Sequence, residues 1–409
     1  MNKVIIFFSF LNIWSINDGG GAPSFYNTIK GYIDDGWKVY LIKPSCGDGI
    51  TERIEGLHLV TYQNSFLWKL CHIKKISFFG RIINSIYGDY KLYLIGKNVI
   101  KNELSTNIVL YAYEVNGVRA AKKLHDKYGY FFVSRFQGTV LYNIKNTFYN
   151  RLRWYPHFYA LETSADIVIM TDDGTFGYNT LKKFNNKSRN ILFLKNGVDM
   201  GKISESCEKT IKIKEDLKIS DSEIILMTVS RLASWKRVDR AIAALYNAKK
   251  YYNKCKLIII GDGDERVKLE YMAKKLNLES DVIFTGAIKQ NEIKYYLPLS
   301  TVFLSLYDIG NVGNPLFEAM SASRPIITIN NGDTGSVIKN YENGILLETN
   351  EIDNIHKYIL ELIYDKQLRT RLGVNAKRYV EKNMRSWDDR IKYEIQYIKQ
   401  HEAFGKSRE

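Results

Sequence analysis

Cysteine, proline and long apolar runs are all scarce in this 409-residue chain. The four cysteines, Cys46, Cys71, Cys207 and Cys255, are widely scattered with no CxxC spacing. That argues against a disulfide framework, and the Cys71-His72 pair has no further ligands at zinc spacing. Such cysteine usage fits a reducing cytoplasm. With 6 Pro and 28 Gly there is no low-complexity stretch, and no repeat of solenoid length is found. No run approaches the roughly 18 apolar residues that a membrane span needs. The opening stretch 1–14 has one lysine and then a short apolar run. Ser9 and Asn12 interrupt that run and no A-x-A site follows, so it reads as a first strand, not a signal peptide. Acid is also in deficit. Against 59 Lys and Arg stand 44 Asp and Glu, a net charge of +15, which calls for nucleic acid, an anionic membrane or a phosphorylated ligand as partner.

What the chain does have is strand–helix alternation, in two blocks. Apolar runs at 4–10, 38–42, 107–112, 130–135, 165–170 and 191–194 read as buried strands with helical patterns between several of them. The polar, charged stretch 205–221 reads as the domain boundary. Strands then restart at 224–229, 256–260, 281–284, 301–304 and 325–328, and the tail from 351 is mostly helical. Alternation in both halves predicts an α/β protein of two Rossmann-like domains, 1–200 and 201–386. The triple glycine Gly19-Gly20-Gly21 follows the first strand but lacks the GxGxxG spacing of a dinucleotide site.

Two stretches mix rings with cations. Segment 66–101 holds seven Lys and Arg against Asp89 alone, interleaved with Phe66, Trp68, Phe78, Phe79, Tyr87, Tyr90 and Tyr93. Segment 149–159 adds Arg151, Arg153, Trp154 and His157. Either they lie on an anionic membrane surface, or they are amphipathic helices packed on the sheet with a solvated face. No nucleic-acid module accompanies the charge, so nucleic acid is not expected.

The chemistry concentrates in turns after strands of the second half. Arg231 leaves the end of strand 224–229, and Lys236 stands at the start of the next helix. A guanidinium and an ammonium beside a helix N-terminus suit a diphosphate. Gly261-Asp262-Gly263-Asp264 and Gly286-Ala287-Ile288-Lys289 follow the next two strands. The stretch 308–318, DIGNVGNPLFE, is a glycine-rich loop that opens a helix with Pro315 in its first turn. Glu318 lies one turn in, where a carboxylate can take the vicinal hydroxyls of a ribose.

In these stretches the chain resembles the retaining nucleotide-sugar glycosyltransferases of glycosyltransferase family 4, which have the GT-B fold. The resemblance is carried by Val229-Ser230-Arg231-Leu232 with Lys236, Ile260-Gly261-Asp262-Gly263, Phe284-Thr285-Gly286, Gly313-Asn314-Pro315-Leu316-Phe317-Glu318-Ala319-Met320, Arg324-Pro325-Ile326-Ile327 and Asn343-Gly344. In the first half Gly20-Gly21 and Asn196-Gly197-Val198-Asp199 also match. The resemblance implies two Rossmann-like domains facing across a cleft, with the last helix, 387–409, crossing back to the first. It implies that Arg231 and Lys236 hold the donor diphosphate, Glu318 the ribose, and Gly313, Asn314, Pro315 and Leu316 the phosphate and sugar. It also puts the base near Ile288, and has Gly20 and Gly21 close on the donor. The Asp-x-Asp spacing of Asp262 and Asp264 binds a metal–diphosphate in another enzyme class. Here it lies inside the Gly-Asp-Gly stretch of a metal-free family, so no metal or other cofactor is expected.

Two positions depart from the family. Where it usually has a first glutamate, with seven residues between it and the second, this chain has Gly310, with Asp308 the nearest acid. Where it often has His-Gly there is Gln137-Gly138, which makes Gln137 the catalytic candidate of the first domain; Glu114 is an acceptor-side candidate. The resulting expectation is a hexosyltransferase moving a sugar, with retention, from a nucleoside-diphosphate sugar to a glycan or lipid-linked acceptor in cell-surface polysaccharide biosynthesis. It would be cytoplasmic and peripheral on the inner face of the plasma membrane. The alternative is a non-catalytic GT-B partner subunit of another transferase.

Overall fold

The computed structural model describes residues 3–10, 23–45, 54–64, 77–105, 107–198 and 207–406. Two parallel sheets organise the chain. The first runs through β1 (Val4–Phe8), β2 (Lys38–Pro44), β3 (Leu57–Tyr62), β4 (Ile108–Tyr113), β5 (Phe131–Phe136), β6 (Ile167–Thr171) and β7 (Asn190–Leu194), in the order β3-β2-β1-β4-β5-β6-β7. The second runs through β8 (Ile224–Val229), β9 (Cys255–Ile260), β10 (Val282–Gly286), β11 (Val302–Ser305), β12 (Ile326–Ile329) and β13 (Ile345–Leu347), in the order β10-β9-β8-β11-β12-β13. The inner strands are continuous apolar runs because helices cover both faces; every residue of VIIFF in β1 is fully buried. Both are Rossmann-like, α/β arrangements, as the alternation predicts. β3 and β13 were not expected. Each is a sheet edge, β3 half-polar with His58 exposed and β13 only three residues long, so neither shows a long apolar run.

The chain forms two compact units. The first comprises residues 1–172, 176–195 and 388–409; the second comprises 173–175 and 196–387. The division at Lys195/Asn196 falls ahead of the expected 200. The polar stretch expected to link the domains contains a helix of the second unit, Glu208–Asp216, whose Thr210 is buried and donates to Tyr295 O at 3.0 Å.

In the first unit the C-terminal helix Trp387–Lys406 buries Ile391, Ile395 and Ile398 in one core with Ile5 and Phe7 of β1. A Cβ on Gly31 would lie 2.2 Å from Ile391 Cγ2, so the absence of a side chain there admits the helix. The same helix carries a buried charge cluster. Arg135 of β5, Arg390 and Glu394 are all essentially inaccessible. Arg390 ion-pairs with Glu394, Arg135 Nη1 lies 3.3 Å from Glu394 Oε2, and Tyr111 OH donates to Glu394 Oε1 at 2.7 Å. Arg135 also donates to Thr28 and, at 2.8 Å, to Ser24 Oγ.

Segment 77–102 forms a single helix (Ser77–Asn102), not a pair; residues 66–76 of that basic-aromatic stretch lie outside the described residues. Leu92 and Ile100 are buried in the core with Phe8, while Ile83, Ile86 and Tyr90 are exposed. No helix among the described residues is long and apolar enough to cross a membrane.

Candidate active site

In an open parallel sheet, ligands bind beyond the carboxyl ends of the strands where the order reverses. In the second sheet that point is β8/β11, the two strands whose following loops carry Arg231, Lys236 and the 308–318 stretch. Main-chain bonds lace the loops at this edge. Ser230 N–H donates to Ile260 O, Leu232 N–H to Asp262 O, and Gly261 N–H to Gly286 O, all at 2.9–3.0 Å. Gly261 has φ +135°, and a Cβ there would stand 1.9 Å from Ser230 O. Only glycine fits this approach of two backbones. On the other side, Asp308 N–H donates to Trp235 O at 3.0 Å, tying the β11 loop to the β8 loop.

Arg231 is exposed at the end of β8. Lys236 closes a single tight turn, Ser234–Lys236, before the helix Val238–Lys249 begins; it does not stand in that helix as expected. Its ammonium lies 3.8 Å from the centroid of the Tyr307 ring and 4.1 Å from that of Trp235. Burial pushes its pKa down to about 7, against the upward pull of Asp173. Tyr307 is itself buried, donates to Val229 O at 2.8 Å, and has its phenol raised to about 12 by burial. Neither the ring pair nor the segment 173–175 was singled out as part of this site. Asp173 Oδ1 accepts from the amide and hydroxyl of Thr175, and the helix Gly177–Lys183 starts behind Phe176.

The helix Asn314–Ser321 follows Gly313, with Pro315 in its first turn. The first turn closes on the Gly313 carbonyl, which accepts from Leu316 N–H at 3.1 Å and Phe317 N–H at 3.4 Å, and Pro315 has no N–H. Asn314 Oδ1 accepts from Asn196 Nδ2 at 3.1 Å. Leu316 is buried, and Glu318 is half-buried one turn in and accepts from Gln290 Nε2 at 2.6 Å. The loop before this helix is held by the fully buried Asn311, which accepts from Tyr307 N–H at 3.0 Å and donates to Tyr307 O and, at 2.7 Å, to Asn331 Oδ1. Ile288 is partly buried against the apolar cluster that holds Leu316 and Phe317.

Two acids are already engaged. Asp308 pairs with Arg240 at 2.7 Å and Arg237 at 3.4 Å, so it does not stand in for a glutamate at Gly310. Asp262 accepts from Gly263 N–H at 2.7 Å and pairs with Arg266 at 2.9 Å; the amide bond and then Arg266 hold its carboxyl below the usual range.

In the first unit the order reverses at β1/β4. The loop after β1, with Gly20 and Gly21, lies outside the described residues, as does Asp199. Glu114, just past β4, has φ 71° and ψ 169°, a region almost reserved for glycine that costs about 1–3 kcal/mol. It is held there by its own N–H on Arg135 O and by its carboxylate, which accepts from Gln137 N–H, at 2.9 and 2.8 Å. The Gln137 amide reaches Ser24 Oγ at 2.7 Å; turning its oxygen to Tyr113 OH, 2.9 Å, and Arg135 Nη2, 3.1 Å, satisfies the group.

Residues 209–379 match the family model described as Glycosyl transferases group 1. An uncharacterised glycosyltransferase of Methanocaldococcus jannaschii is 28% identical over 263 residues, 62% of this chain and 64% of its own. The N-acetyl-alpha-D-glucosaminyl L-malate synthase of Bacillus anthracis is 29% identical over 186 residues, 46% of this chain and 48% of its own. The alpha-monoglucosyldiacylglycerol synthase of Acholeplasma laidlawii is 26% identical over 175 residues, 43% and 44% of the two chains. The matches thus span between roughly half and two thirds of these relatives' length. Among solved structures, sucrose-phosphate synthase from Thermosynechococcus elongatus superposes with a TM-score of 0.78 at 16% identity, covering 98% of this chain and 99% of that one. HepE of Anabaena in complex with UDP-glucose gives 0.73 at 15% identity, covering 97% and 100%. Over residues 209–379 the chain is accordingly a match to the group 1 glycosyltransferases, and its two Rossmann-like sheets are those of the GT-B fold.

Proposed function

We propose that the protein moves a sugar, with retention of configuration, from a nucleoside-diphosphate sugar to a glycan or lipid-linked acceptor. The observation that carries the reading is the β8/β11 edge, where one laced set of loops presents Arg231, Lys236, the start of the helix Asn314–Ser321 and Glu318. In this reading Arg231, Lys236 and the helix start at Gly313 to Leu316 receive the diphosphate, Glu318 the ribose, and loop 286–289 with Ile288 the base. Charge that develops on the departing phosphate then meets prepositioned cations and amides. Gln137 and Glu114 serve the sugar and acceptor from the first unit. Metal independence is part of the proposal, since both oxygens of Asp262 are already held by Gly263 and Arg266. The UDP-glucose complex of HepE and the sugar-transferring names of the relatives support a nucleotide-sugar donor. They lend nothing to the non-catalytic alternative.

A lipid-linked or cell-surface acceptor and a cytoplasmic, membrane-peripheral setting complete the proposal. Phe148, Tyr149 and Leu152 are exposed beside Arg151 and Arg153 on and around the short helix Phe148–Arg153, a surface that suits an anionic interface. The Acholeplasma relative is, by its name, a synthase of a glucosylated diacylglycerol.

The test is a panel of UDP- and GDP-sugars read by thermal shift. The correct donor at 100 times its dissociation constant is expected to add about 2.7 kcal/mol to folding stability. A panel without any shift would sink the proposal.

Lys236 gives the binding a pH signature. With burial holding its pKa down to about 7, Lys236 without a bound anion changes charge near neutral pH. A diphosphate favours the ammonium, so binding takes up a proton above pH 7 and affinity falls as pH rises, by at most about tenfold per pH unit. The stability term runs the opposite way. The unfolded lysine titrates near its ordinary value, binds more protons between about pH 7 and 10.5, and folding stability from this group rises across that window. Calorimetric titration of UDP in two buffers of different ionisation enthalpy measures the uptake; Lys236→Arg is expected to abolish it.

A further inference from the structure

We propose that Gln290 is a positioning residue for ribose recognition, coupling the loop that meets the base to the carboxylate that meets the sugar hydroxyls. The inference rests on the donor reading above and deepens it. Gln290 opens the helix Gln290–Tyr296, directly after the β10 loop 286–289. Its Nε2 crosses to the neighbouring helix and donates to Glu318 Oε1 at 2.6 Å. Glu318 is half-buried and carries a long, rotatable side chain, so its direction must be fixed before it can accept two vicinal hydroxyls. A donor on a carboxylate makes a short, charge-assisted bond.

The donor here is neutral, and that matters for the chemistry. An arginine or lysine at position 290 would neutralise the carboxylate and compete with hydroxyl donors. An amide fixes one oxygen and leaves the full negative charge, with lone pairs enough on a carboxylate for several further donors. A second link runs parallel to this bond. Ile288, two residues before Gln290, packs in the same apolar cluster as Leu316 and Phe317, the two residues that precede Glu318 by one and two positions. Loop 286–290 and the start of the helix Asn314–Ser321 are therefore joined by the Gln290–Glu318 bond and share one apolar cluster. A shift of the loop as the base enters would turn the Glu318 carboxylate with it.

The test compares UDP with 2′,3′-dideoxy-UDP by calorimetry on the wild type, Gln290→Ala, Glu318→Gln and the double variant. The wild type is expected to prefer UDP by about tenfold or more, the scale of a hydrogen bond to a charged group. In Gln290→Ala that preference should fall to within about threefold while the affinity for the dideoxy nucleotide holds. The double variant should be no worse than Glu318→Gln alone, because the two residues act as one unit. Equal weakening of both nucleotides would mean that Gln290 only packs, and an unchanged preference that it does nothing for the ribose; either overturns the inference. A wild type that binds neither UDP nor GDP overturns the donor reading and this inference with it, whereas a wild type that prefers the ribose form leaves Gln290 alone under test.

Discussion

Glu394→Leu is expected to cost about 3–5 kcal/mol of folding stability, measured as the urea-unfolding free energy, because it strips two buried guanidinium groups of their counter-charge. Burial raises the Glu394 carboxyl, and Arg390 and Arg135 more than reverse this, so its pKa lies below the ordinary value. A depressed carboxyl contributes stability that is present at neutral pH and lost as pH falls through the folded-state value. Removal of the carboxylate leaves Arg135 and Arg390 facing each other, with Tyr111, Thr28, Ser24 and Gln137 among the remaining polar neighbours. Arg390 is already short of partners, its Nε and Nη2 being buried without one among the described residues. The matched control is Arg135→Met with Arg390→Leu and Glu394→Leu together. A buried cluster replaced whole by apolar side chains is often neutral or stabilising by about 1–4 kcal/mol. A triple variant as unstable as the single one would show that packing, not charge, governs the region.

Arg231→Ala is expected to lower nucleotide-sugar turnover by about 10²–10³-fold, the usual loss when one prepositioned donor to a developing anion is removed. A single cation at 4 Å from a phosphate oxygen contributes about 4 kcal/mol at an effective dielectric near 20, so the effect has ample physical room. Folding should be nearly indifferent. Arg231 is exposed, and surface substitutions of this kind stay within about ±0.5 kcal/mol. Release of nucleoside diphosphate from the donor identified in the panel gives the rate, and urea unfolding gives the stability. An Arg231→Ala protein that turns over within threefold of the wild type would remove the diphosphate role of this residue.

Both sheets were legible because their strands are apolar runs punctuated by turns, with β8 found to the residue. The β8/β11 edge was legible for the same reason, since Arg231 directly follows a strand and Glu318 sits one turn into the helix that a glycine-rich loop opens after another. What escaped depends on chain distance. Tyr307 reaches Lys236 from the loop after β11, and Glu394 meets Arg135 259 residues away, so no local pattern could announce either. Asp308 looked like a substitute acid until its pairing with Arg240 gave it a structural task. The glycine loop at 19–21 lies outside the described residues, and its part in donor closure stays an expectation.

The glycine contacts after β8 and β9 have a consequence for divergence. Gly261 meets Ser230 main chain to main chain, and Gly261 and Gly286 share a backbone bond, so the spacing of this rim is written in peptide groups. Residues 287–289 project from a frame that does not depend on what they are. Where this loop meets the base as proposed, relatives can exchange nucleobase preference by altering those three side chains while the phosphate end keeps its shape, which makes the rim a socket with interchangeable fittings.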